Sequence, residues 1–284
     1  MHKPKPSLLF FGTSEFALPS LRAAAAHSAL AGVVTQPDRP AGRGHKLRPT
    51  PVKTAALELG VPVYEPADLR AFAREFANVP LDLFALASYG RILPRELLAL
   101  ARMGALNVHP SLLPKYRGAT PIQSAIRNGE SETGVTVMLM DEGMDTGDVV
   151  GARRVPIGRE ESYGELHDRL AAAGGELLGQ AIDAAAAGRL AKVPQSGEPS
   201  VTRPLRAADL QIDWSWEPRR IVDAVRAYSP SPAARADIDG ESVKLLRAHL
   251  DENGSLRIDE LVAPNRGRTT WEAYVQRRGR VTTP

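Results

Sequence analysis

The sequence predicts an α/β protein: a doubly wound, mostly parallel sheet followed by a small β domain. Three observations carry that prediction. Short apolar runs alternate with helical patterns through the first half of the chain, as βαβ units do. A polar segment rich in Pro, Ser and Gly, AKVPQSGEPSVTRP, follows the longest helical pattern, and its lack of periodicity marks a linker. Beyond it, Asp239-Gly240 sits between two alternating runs, the signal of a two-residue hairpin.

Taken in order, SLLFF reads as a buried strand, Gly12-Thr13-Ser14 as a tight turn, EFALPSLRAAAAH as a helix and LAGVVTQ as the next strand. The alternation continues with VKTAALELG as helix, LDLFALAS as strand, ILPRELLALA as helix, ALNVH as strand, TPIQSAIRNG as helix and TGVTVMLM as strand. A long helical run, YGELHDRLAAAGGELLGQAIDAAAAGRL, closes this part. After the linker, IDWSWEPRRIVDAVRAYSP predicts a short helix and ARADIDGESVKLLRAHL a hairpin. The expected organisation is 1-188 as the first domain, 189-204 as linker and 205-284 as the second. In such sheets the ligand crevice lies at the carboxyl ends of the strands.

Composition excludes several classes. The 284 residues, 43% of them hydrophobic and 24% charged, suffice for burial-driven folding. With no cysteine, disulfides, thiolate metal sites and cysteine nucleophiles are excluded, which fits a cytoplasmic location. The apolar run after the basic start is too short for a leader core or a membrane span. The turn Gly12-Thr13-Ser14 lacks the three-glycine spacing of a dinucleotide loop, and no metal-ligand spacing such as HExxH occurs.

The informative stretch is GALNVHPSLLPKYRGATPIQSAI, where a short strand ends by presenting Asn107 and His109. Alternation along a strand puts both side chains on one face. The next strand is followed by MDEGMDTGDVV, in which Asp141, Asp145 and Asp148 interleave with glycines, either as a carboxylate loop bent toward the crevice or as a solvated acidic turn. An amide, an imidazole and a carboxylate suit acyl transfer to an amine, since the amide can hold an oxyanion and the imidazole can move a proton.

These residues carry a resemblance. NVHPSLLPKYRGATPIQSAI together with GMDTGD is similar to the catalytic core of the 10-formyltetrahydrofolate-dependent formyltransferases. TQPDRPAGRGHKLRPTPVK and TGVTVMLMDEGMDTGD resemble, within that family, the members that act on methionyl-tRNA, and IDWSWEPRRIVDAVRAYSPSPAA resembles the start of their OB-like carboxy-terminal barrel. The resemblance implies a Rossmann-like catalytic domain and Asn107, His109 and Asp145 as the catalytic trio. It implies that Ser111, Leu112, Leu113, Pro114, Tyr89, Gly90, Ile92, Leu93, Met138, Met140 and Asp141 contact the folate. It also implies 10-formyltetrahydrofolate as co-substrate, no metal, initiator methionyl-tRNA as acceptor, and a monomer. Arg39, Arg43, Lys46 and Arg48, with Lys53, make residues 36–53 basic and place them against tRNA phosphates; RPAGRGHKLR is expected to be mobile without tRNA. Arg266, Arg268, Arg277, Arg278 and Arg280 form a second basic cluster. One departure is plain: the second domain is shorter than the family's barrel, with strands missing between LLRAHL and LRIDEL. Two other readings are a formyltransferase acting on a small amine and a non-catalytic RNA-binding relative.

Overall fold

A computed structural model describes residues 5–41 and 46–278. They divide into two compact units, one of residues 1–117, 134–154 and 168–200, the other of 118–133, 155–167 and 201–284.

The first unit is built on a seven-stranded sheet. From one edge its strands are Val149–Pro156, Glu132–Leu139, Ala105–His109, Leu83–Ala87, Ser7–Gly12, Ala29–Val34 and Val63–Tyr64. The last five in this order pair in parallel, whereas Ala105–His109 and Glu132–Leu139 run antiparallel. Ser7–Gly12 and Leu83–Ala87 are almost wholly buried, as expected for strands covered on both faces. Phe11, Phe84 and Tyr89 form an aromatic cluster with ring centroids 5.2 and 5.5 Å apart.

Helix starts follow local chemistry. Thr50 Oγ1 accepts a hydrogen bond from the Lys53 amide at 3.1 Å and Pro51 opens the helix Pro51–Glu58. Asp68 caps Leu69–Glu75 in the same way, through the Arg70 amide at 2.8 Å. ILPRELLALA supplies only the single turn Arg95–Leu98: Pro94 holds an extended backbone just before it, and Ala101 bridges to Leu81 just after it. The long helix Tyr163–Ala186 covers the sheet face that carries Val108 and Val135. A Cβ on Gly174 would lie 2.6 Å from Val108 Cγ1, so glycine is what permits that approach.

Arg39–Ala41 pairs antiparallel with Lys46–Arg48, with Arg39 opposite Arg48. The flanks of the segment expected to be mobile are therefore a hairpin, and residues 42–45, Arg43 among them, lie outside the described residues.

In the second unit, Ala234–Ile238, Glu241–Leu250, Leu256–Ala263 and Gly267–Thr270 form an antiparallel sheet in sequential order. The hairpin expected at Asp239-Gly240 is present, with φ of 49° and 78° at the two turn residues. Alternation is strict in Ala234–Ile238, where Ala234, Ala236 and Ile238 are buried and Arg235 and Asp237 exposed. The helix Pro218–Tyr228 packs on Glu241–Leu250 and on the helix Pro121–Arg127. Its buried Asp223 and Arg226 pair at 2.7 Å. The chain's basic end is more than a string of charges: Trp271–Arg278 is helical and buries Tyr274. Among the described residues, no helix is long and apolar enough to cross a membrane.

Candidate active site

Asn107 and His109 end a strand with neighbours on both sides. Asn107 pairs with Leu86 on one side and Met138 on the other, and His109 lies opposite Thr136. Their side chains share the sheet face opposite Val108, so the long helix does not cover them. Met138 is buried on the same face.

His109 is 4% exposed. Its Nε2–H donates to the Tyr116 carbonyl at 2.9 Å, and its Nδ1 faces Asp145 Oδ2 at 3.6 Å. The carbonyl can only accept, so the neutral ring carries its proton on Nε2 and turns the Nδ1 lone pair toward the carboxylate. Burial pushes the His109 pKa below its usual value, against the Asp145 charge and the Tyr116 hydrogen bond, which raise it. The imidazole is thus neutral near pH 7, with a carboxylate in place to stabilise the proton it takes up.

Asp145 is held in the left-handed region, at φ 55°. The three aspartates of its loop have distinct places. Asp141 Oδ1 accepts from the Gly143 amide at 2.9 Å and from Thr146 Oγ1 at 2.7 Å, which folds the loop on itself. The backbone oxygen of Asp148 accepts from the Leu139 amide at 2.8 Å, closing the loop base. Asp145 is the member that reaches His109.

The Ser111–Pro114 turn is pinned from the neighbouring strand. Buried Thr136 donates through Oγ1 to the Ser111 carbonyl at 2.7 Å and accepts from the Leu113 amide at 3.2 Å. Ser111 Oγ donates to the Lys115 carbonyl at 2.6 Å. Pro114 is buried, and Leu112 and Leu113 are half-buried.

The 88–94 turn splits the residues expected at the folate. Tyr89 and Leu93 are buried, whereas Ile92 is 87% exposed. The Tyr89 carbonyl accepts from Thr13 Oγ1 at 3.0 Å and Gln36 Nε2 at 2.7 Å. Gly90 adopts φ 78°, and a Cβ there would meet Gln36 Nε2 at 2.8 Å. Met140 packs on the core beneath, and Asp141 is exposed.

Of the basic residues, Arg39 and Arg48 are exposed, and the Arg39 guanidinium donates to Gln36 Oε1. Only the backbone of Lys46 is described. Lys53 sits between Asp38 and Glu65, 2.8 Å from each, which removes it from the charges open to a partner. Two arginines of the second cluster are likewise engaged: Arg268 with Glu260, and Arg278 with Glu241 and the Ile238 carbonyl. Arg280 lies outside the described residues.

Sequence reasoning missed Gln195, placed by composition in the linker. Its Nε2 donates to the carbonyls of Asp145 at 2.9 Å and Gly147 at 2.8 Å, and its Oε1 accepts from Arg117. Thr136 was missed as well. Its alternation with Val135 and Val137 on a buried strand was the available signal, since a hydroxyl on a covered face needs a partner.

The chain is similar to known proteins along most of its length. Residues 8–182 match the formyl transferase family, and residues 204–272 match the formyl transferase C-terminal domain. The chain is 43% identical over 265 residues to the methionyl-tRNA formyltransferase of Pelotomaculum thermopropionicum, covering 91% of this chain and 84% of that protein. It is 38% identical over 294 residues to the methionyl-tRNA formyltransferase of Geobacter metallireducens, covering 95% and 94%. Among solved structures, the methionyl-tRNA formyltransferase of Clostridium thermocellum matches with a TM-score of 0.62 at 16% identity, over 91% of this chain and 99% of that one. An N-formyltransferase of Helicobacter canadensis, in complex with folinic acid and dTDP-3-aminofucose, matches with a TM-score of 0.67 at 20% identity, over 88% of each. At such identities these two structures speak to the fold.

Proposed function

The chain belongs to the methionyl-tRNA formyltransferase family, and from that premise we propose that it moves the formyl group of 10-formyltetrahydrofolate to the α-amine of methionine esterified to initiator tRNA. The observation that carries the reading is the His109–Asp145 pair beside Asn107 at one strand end, in a chain so similar to proteins of that name.

The amine attacks the formyl carbon, a new C–N bond forms, and the bond from that carbon to N10 breaks. The amine loses a proton and N10 gains one. Asn107 donates to the formyl oxygen as it becomes an oxyanion. Both His109 nitrogens face protein acceptors, so its role is to hold positive charge beside the tetrahedral centre and to exchange protons through Asp145. The carboxylate is the more exposed member, at 16% against 6% for the imidazole side chain, and passes protons on through water. No nucleophilic side chain is needed, because the substrate supplies the amine.

The folate lies against the Ser111, Leu112, Leu113, Pro114 turn, with Tyr89, Gly90, Ile92, Leu93, Met138, Met140 and Asp141 completing its pocket. Rigid apolar walls suit a flat heterocycle, and the Thr136 bonds give this turn its rigidity. Arg39, Arg43, Lys46 and Arg48 meet tRNA phosphates. Trypsin therefore cuts first within residues 39–48, and saturating tRNA protects the site; unchanged cleavage would remove the hairpin from the tRNA interface.

The lowered pKa of His109 has a sign that kinetics can check. As pH falls, protonation removes the neutral imidazole, so kcat declines on the acid side with an apparent pKa below about 6.5. Stability moves the same way: below about 6.5 the unfolded chain binds a proton that the folded one refuses, so stability falls with pH through that window. An acid limb above neutrality would contradict the assignment. The activity itself is tested by comparing kcat/KM for charged initiator tRNA, free methionine and small ribonucleotide or amino-sugar amines. Methionyl-tRNA is expected to be preferred, and preference for a small amine would overturn the reading.

A further inference from the structure

Two residues that flank His109 hold unusual backbone. Tyr116, whose carbonyl accepts the imidazole Nε2–H, has φ 59°, and Asp145 has φ 55°. Residues other than glycine stay there only where the surroundings over-determine them. Both are fixed by one short segment.

On the carboxylate side, Gln195 uses its whole amide. Its two N–H hydrogens go to the Asp145 and Gly147 carbonyls at 2.9 and 2.8 Å, and its oxygen accepts from Arg117 Nε at 3.2 Å and Nη2 at 2.6 Å. A guanidinium on one side and two carbonyls on the other dictate the amide's orientation. On the imidazole side, Ser200 Oγ accepts from the Tyr116 amide at 2.8 Å. Its carbonyl accepts from the Arg117 amide at 2.8 Å, and its own amide donates to the Pro114 carbonyl at 3.2 Å. The segment is rooted where Val193 and Val149 exchange both backbone bonds, at 2.8 and 2.9 Å.

We propose that residues 195–200 are a positioning element for the His109–Asp145 pair, with Gln195 holding the loop of the carboxylate and Ser200 the loop that anchors the imidazole. The proposal rests on the formyl-transfer reading for its kinetic consequences and on geometry alone for its structural ones. The Gln195 amide bonds to the Asp145 and Gly147 carbonyls and to Arg117, and not to the imidazole. It acts through Asp145, and glutamate cannot replace it, because a carboxylate would face two carbonyl oxygens.

The test uses the full chain carrying Gln195→Ala, Gln195→Glu or Ser200→Ala, with thermal unfolding as the folding control. Loss of the clamp lowers kcat roughly 10- to 100-fold while KM for folate and tRNA changes little, as expected when ground-state binding is untouched. Gln195→Glu fares no better than Gln195→Ala. Ser200→Ala loses less, because its backbone bonds remain. The pH titration of His109, followed by NMR, moves to lower pH in Gln195→Ala, since the carboxylate that favours its charge is no longer held. In an Asp145→Asn background the Gln195 substitution no longer moves that titration. Folded Gln195 variants with wild-type kcat and an unmoved titration would overturn the proposal, as would a Gln195 effect that persists without the Asp145 carboxylate. Failure of the wild-type chain to formylate methionyl-tRNA would overturn the activity instead, while the titration still reads the clamp.

Discussion

Replacing His109 with alanine lowers kcat by at least ~10²-fold, the scale expected when a positioned acid-base group or an electrostatic stabiliser is lost. Folate binding and the fold are expected to remain close to wild type, because the work proposed for the imidazole lies in the transition state. The vacated volume beside Tyr116 shows as a lower Tm rather than as a kinetic effect. Asp145→Ala behaves alike for a different reason: it leaves the buried ring in place without the charge that supports its protonated form. Asn107→Ala is expected to follow, through the formyl oxygen it is proposed to hold. Steady-state kinetics with a thermal melt on each variant separate the two effects, and near-normal turnover in the His109 or Asp145 variant would remove the trio from the mechanism.

The second large effect belongs to a residue that carries no chemistry. A Cβ on Gly147 would stand 1.8 Å from the Leu139 carbonyl oxygen and 2.9 Å from its carbon. Backbone cannot rotate away as a side chain can, so Gly147→Ala must push the Asp145 loop off the strand end. The Leu139–Asp148 bond at 2.8 Å and the Gln195 bond to the Gly147 carbonyl go with it. The expected loss is about 2–4 kcal/mol of stability, in the range of severe overpacking, together with most of the turnover. Gly143→Ala is the control: its Cβ would meet the Thr146 hydroxyl at 2.0 Å, a side chain that can turn aside at the cost of its bond to Asp141, so it is expected to lose less than a clash with backbone. Urea unfolding of both variants decides it, and equal stabilities would show that the loop accommodates the methyl group.

The strand bearing Asn107 and His109 was legible because period-two alternation and apolar neighbours fix both its existence and its faces. Asp145 was not legible from the residues alone. Three aspartates share one glycine-rich loop, and composition cannot tell which one the loop's own hydrogen bonds consume. Gln195 was out of reach for a stronger reason: its partners lie 48, 50 and 78 residues away in sequence, and its segment has no period. Charge tallies failed similarly, since Lys53, Arg268 and Arg278 count as free cations until the fold brings Asp38 and Glu65, Glu260, and Glu241 to them. The edge strand Val149–Pro156 was hidden because its exposed face carries arginine. The closing helix Trp271–Arg278 was hidden because one buried side chain, Tyr274, sets it among arginines. Its hydroxyl donates to Glu241 at 2.8 Å and accepts from Arg278 at 2.8 Å.

The most direct test of the account follows a labelled formyl group. The wild-type chain is mixed with 10-formyltetrahydrofolate labelled in the formyl carbon and with charged initiator tRNA, and the amino acid released from the tRNA is identified by mass. Labelled N-formylmethionine is expected from the wild type and almost none from Asn107→Ala or His109→Ala at equal enzyme. Label that stays on the folate with the wild type, or that reaches methionine at equal rates in all three proteins, would contradict it.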